Sequence, residues 1–61
     1  MIDATDKKAI REMLDNAADY LDKLTSWELK FIASITEQFE MRGQLTQKQV
    51  DILEQIHIKL P

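Results

Sequence analysis

Four acidic side chains carry most of the chemical potential of this chain: Glu12, Asp15, Asp19 and Asp22 recur at intervals of 3, 4 and 3. On a helix, residues three and four apart are neighbours, so this spacing gathers four carboxylates on one face, with Asn16 among them. Paired carboxylates can serve as general acid and base where a cleft drives their pKa values apart, and a chain of 61 residues offers little room for one. The single histidine, His57, has no second His and no Cys with which to share a metal or build a nucleophilic dyad. The absence of cysteine also removes thiolate nucleophiles, and no glycine-rich phosphate loop is present. The sequence therefore predicts no catalytic site, no metal site and no cofactor. What remains for the carboxylates is recognition, and the prediction is binding without catalysis.

The net charge of −3 is unevenly placed. Residues 12–22 hold four acids and no base, whereas residues 23–61 hold five of each sign. A face kept only for solubility would mix lysine into such a row, because like charges at these spacings repel by a few tenths of a kcal/mol per pair. Aspartate is also a poorer helix former than glutamate. The row reads as a surface that docks on a basic groove, such as the phosphate site of a nucleic-acid-handling protein, with Glu37 and Glu40 of a second helix as its extension. A plain solvated face is the simpler alternative.

Trp27 stands in the first turn of a predicted helix, where it either plugs the end of a bundle or anchors a partner; packing in the core is the expectation. Ile58, with Ile52 and Met41, falls off the predicted buried faces and could contact a partner or a second copy. Gln47, Lys48 and Gln49 open a helix that follows a glycine turn, an arrangement suggestive of helix-turn-helix readers of nucleic acid. Asp51 and Glu54 follow on the same helix and the pI is about 4.9, so the electrostatic affinity that nucleic-acid binding rests on is missing.

The elements that must position these residues are marked by their ends. Thr25-Ser-Trp-Glu28 and Thr46-Gln-Lys-Gln49 are capping boxes, each flanked by a hydrophobic pair, Leu24 with Leu29 and Leu45 with Val50. Gly43, the one glycine, falls where a helix would close in the left-handed conformation. A first helix is carried by period: Ile10, Leu14, Ala17, Leu21 and Leu24 lie within roughly 80° of one another, with Asp3 or Thr5 as its cap. The apolar residues of the second helix, from Trp27 to Phe39, spread over roughly 200°, which places it between the other two. The third buries Val50, Leu53, Ile56 and Leu60.

The fold class predicted is all-α: one compact three-helix domain over residues 1–61, with helices at about 4–23, 26–42 and 47–60 and helix 2 central. A composition of 44% hydrophobic and 31% charged residues is that of a folded domain, although one this short buries only about 60% of its unfolded surface. No run approaches the roughly 20 apolar residues that span a bilayer, and the N-terminus lacks a basic and apolar leader, so a cytoplasmic protein without membrane contact is expected.

Residues 24–56, through Leu24-Thr25, Trp27-Glu28, Phe31-Ile32, Ser34-Ile35, Leu45-Thr46, Lys48-Gln49 and Ile52-Leu53, resemble a pattern of small phage and mobile-element proteins and of domains attached to DNA-handling enzymes. The resemblance implies an accessory protein acting on nucleic-acid machinery, a class that includes small acidic inhibitors such as anti-CRISPR proteins. The expected function is thus a protein–protein interaction module that covers a basic surface of a nucleic-acid-handling partner. A helix-turn-helix nucleic-acid binder and a structural docking or homodimerisation domain are the alternatives.

Overall fold

The computed structural model describes residues 2–61: three α-helices, α1 (Lys7–Asp19), α2 (Ser26–Arg42) and α3 (Gln47–Ile58), with one turn of 3-10 helix at Leu21–Lys23 between the first two. Both capping boxes form. The Thr25 hydroxyl accepts from the Glu28 amide at 3.1 Å while the Glu28 carboxylate accepts from the Thr25 amide at 2.9 Å. Thr46 and Gln49 repeat the exchange at 3.1 and 2.9 Å. Four orphan amides at two helix starts are satisfied locally, so these ends are decided by chemistry within four residues. Gly43 closes α2 at φ +72°, and its amide donates to Phe39 at 2.7 Å.

Contacts between helices give their directions. Gln38 meets Gln49 near one end of the α2–α3 pair and Glu28 meets Lys59 at the other, so these helices are antiparallel. Ala4 reaches Gln47 and Asn16 reaches His57, so α1 runs in the same direction as α3. The result is an up-down-up bundle. Its core comprises Ile10, Met13, Leu14 and Ala17 of α1, Leu24, then Ile32, Ile35 and Phe39 of α2, Leu45, and Val50, Leu53 and Ile56 of α3. Leu60 is half-buried against this core.

The structure departs from the expected elements in three places. The first helix starts later, because Asp6 rather than Asp3 or Thr5 caps it, its carboxylate accepting from the Ala9 amide at 3.1 Å. Asp3 instead accepts from the amide and hydroxyl of Thr5, holding a turn ahead of the helix. The helix also stops at Asp19, and Tyr20 takes φ −129° and ψ 38°. That break turns Leu21 outward while returning Leu24 to the core, whereas an unbroken helix would bury both.

Second, α2 packs on both neighbours but buries only Glu28, Ile32, Ile35 and Phe39, a stripe spaced 4, 3 and 4. Phe31 is half-buried and Leu29 is exposed, so its burial is narrower than its composition predicts, and the most extensive helix pair is α1 with α3. Two neighbours on the same side cover one face of a helix; the remaining apolar residues face solvent. Third, α3 ends at Ile58, with Lys59 as its cap. No described helix is long and apolar enough to cross a membrane.

Candidate interaction surfaces

Glu12, Asp15 and Asp19 are exposed along α1, on the side turned away from its buried stripe. Among the described residues none of them has a hydrogen-bond or ion-pair partner. Asp22 is exposed as well, but it lies on the 3-10 turn, so the break at Tyr20 ends the helical register of the row after its third member. Asp19 sits in the last turn of α1, which contains no base. The helix C-terminus carries partial negative charge, so an acid there lowers helix stability. Asn16 does not belong to the acidic surface. It is half-buried, and its amide nitrogen lies 3.2 Å from His57 Nδ1, joining α1 to α3. His57 thereby has a packing role.

Glu37 and Glu40 are exposed near the end of α2. That end meets the start of α1, where the Arg11 guanidinium stands 5.1 Å above the Phe39 ring. These two acids therefore lie at the end of the bundle opposite Asp19 and Asp22 and do not prolong the row.

Trp27 is not in the core, contrary to expectation. It is 60% exposed and lies stacked on Phe31, with centroids 5.2 Å apart and planes 7° from parallel. The reason is the register of α2. Glu28 occupies the inward position of the first turn, where its carboxylate serves the Thr25 amide and pairs with the Lys59 ammonium. The hydrogen bond from Lys59, then the Thr25 amide, hold the Glu28 carboxyl below its ordinary value, against the effect of burial. A polar plug thus closes the end of the bundle and leaves the indole on the rim of a cleft of about 290 Å³ between α2 and α3, lined also by Ile52, Gln55 and Ile56. Ile58, 73% exposed, lies on the next stretch of α3.

At the start of α3 two of the three residues considered for nucleic-acid contact are engaged inside the chain. Gln47 accepts from the Ala4 amide and donates to the Ile2 carbonyl, both at 2.8 Å, and donates to Asp51 at 3.0 Å. Gln49 caps Thr46 and exchanges amide hydrogen bonds with Gln38. Lys48 is exposed and takes part in none of these bonds. Among the described residues no three His, Asp or Glu side chains converge on a point that could hold a metal ion.

No protein-family model, no curated protein and no solved structure matches the chain.

Proposed function

We propose that this domain is a non-enzymatic protein–protein interaction module that sets the acidic face of α1 on a basic surface of a nucleic-acid-handling protein. The observation that carries the reading is the row Glu12, Asp15 and Asp19: three exposed carboxylates without a partner among the described residues, the last at the helix end where negative charge is least favourable. Such a row costs the isolated domain helix stability and recovers it when lysine or arginine of a partner approaches. Asp22 joins the surface from the following turn. The action is occlusion: carboxylates occupy the place where phosphates would bind, and the negative field steers the encounter. The engagement of Gln47 and Gln49 within the chain supports a protein, rather than DNA or RNA, as the partner. An origin in a phage or mobile element, and action as an inhibitor, are supported by the resemblance of residues 24–56.

The test compares the natural chain with the triple variant Glu12→Lys, Asp15→Lys and Asp19→Lys as bait for nucleic-acid-handling proteins at low and high salt. The expected result is a partner retained by the natural chain at low salt, released at high salt, and missed by the variant although its helix content is unchanged. Equal retention by the two forms defeats the reading.

A further inference from the structure

The groove between α2 and α3, on the far side of that pair from α1, has no helix lying in it. Its uncovered apolar surface is concentrated towards one end: Trp27 on the rim, half-buried Phe31 beneath it, and Ile52 opposite. Towards the other end the groove turns polar, where Gln38 and Gln49 bond to each other across it. From Ile52 to Lys59 the strip is about 10 Å long at 1.5 Å per residue, roughly two helical turns.

That length selects the occupant. A stable contact between two copies needs about 800 Å² from each, roughly a fifth of this chain's 4198 Å². A strip of two turns with one exposed indole falls well short of it. A single helix laid in the groove needs far less and would complete a four-helix arrangement, with apolar side chains one turn apart entering beside Trp27 and Ile52. Charge selects the flank of that helix. The cation on the cleft, Lys59, is paired with Glu28, whereas Asp51, beyond Gln55 and next to Ile58, accepts a hydrogen bond from the uncharged Gln47 amide and has no cation against it among the described residues.

We propose that the Trp27 end of the α2–α3 groove binds a short amphipathic helix of another protein, with two apolar anchors one turn apart and a basic flank facing Asp51. This surface is distinct from the acidic face of α1, to which the groove owes no residue, so the two readings fail separately.

Trp27 is the only tryptophan, so its fluorescence reports directly on the groove. The probe is a synthetic leucine–lysine amphipathic helix free of aromatic residues, titrated beside a scrambled peptide of the same composition and a leucine–glutamate counterpart. The expected result is a saturable blue shift with the first peptide and binding at least about tenfold weaker with the other two. Gln55→Lys, an exposed change that keeps a good helix former, should weaken the first peptide by a similar factor, and Ile58→Ser should weaken it less. Reversal of Asp15 and Asp19 to Lys should leave the Trp27 shift in place. The proposal is overturned by the absence of a shift, by an equal shift with the scrambled peptide, or by binding that ignores Gln55→Lys in a variant of unchanged helix content. Emission that shifts with protein concentration alone would also overturn it, by making a second copy the occupant.

Discussion

The carboxylate of Glu28 and the ammonium of Lys59 join the first turn of α2 to the end of α3, and the same carboxylate closes the capping box with Thr25. One side chain thus terminates a helix and ties two helices together. Lys59 and Thr25 hold the Glu28 carboxyl below its ordinary value of 4.5 in the folded state. A lowered folded value means that the ionised group stabilises the fold above the unfolded pKa and that this contribution is lost as pH falls from about 4.5 through the folded value. Glu28→Gln should lower the melting temperature at neutral pH and flatten its decline on acidification. A variant whose acid decline matches that of the natural chain would show that the pair contributes nothing.

Asp19 at the end of α1 leads to the opposite sign. Replacing it with Lys puts a cation where the helix dipole favours one and removes repulsion with Asp15, so Asp19→Lys should stabilise the domain by about 0.5–1 kcal/mol at low salt. The gain should shrink as salt rises. Thermal unfolding at two salt concentrations measures it. Stabilisation together with loss of partner binding would mark Asp19 as kept for recognition, and a destabilised variant would contradict the geometry described for this end of α1.

Gly43 adopts φ +72°, and a Cβ placed on it would find only the flexible end of Lys7, at 3.9 Å. The cost of Gly43→Ala is therefore purely conformational, about 1 kcal/mol, and Gly43→Asn should cost less because asparagine tolerates the left-handed region. Denaturant unfolding of the two variants distinguishes this from a packing defect, which would penalise the larger residue more.

Two leucines of the first apolar pattern should differ sharply. Leu14 is buried, and Leu14→Ala should cost about 2–5 kcal/mol, enough to unfold much of a domain this small. Leu21, 47% exposed after the break at Tyr20, should cost under about 1 kcal/mol on the same change. Comparable losses at the two positions would argue for an unbroken helix in solution.

What the sequence alone determined was whatever depends on atoms a few residues apart. Thr25 with Glu28, Thr46 with Gln49 and the left-handed Gly43 could be read directly, because a cap is a bond between near neighbours and a positive φ is cheapest for glycine. The core of α3 followed from period alone. The exposure of the acids on α1 was legible for the same reason, since the buried stripe opposite them is set by spacing. Only the tertiary structure decided the outcomes that depend on distant competitors for one place. Leu21 and Leu24 both suited the core, and the break at Tyr20 kept one of them. Trp27 and Glu28 both stood at the mouth of the bundle, and Glu28 took the inward place because Lys59, 31 residues further along the chain, was there to neutralise it. Gln47 suited a nucleic-acid contact until the N-terminal backbone, folded back from residues 2–4, met its amide first. In each case the local preference was satisfied by more than one arrangement, and long-range packing chose among them.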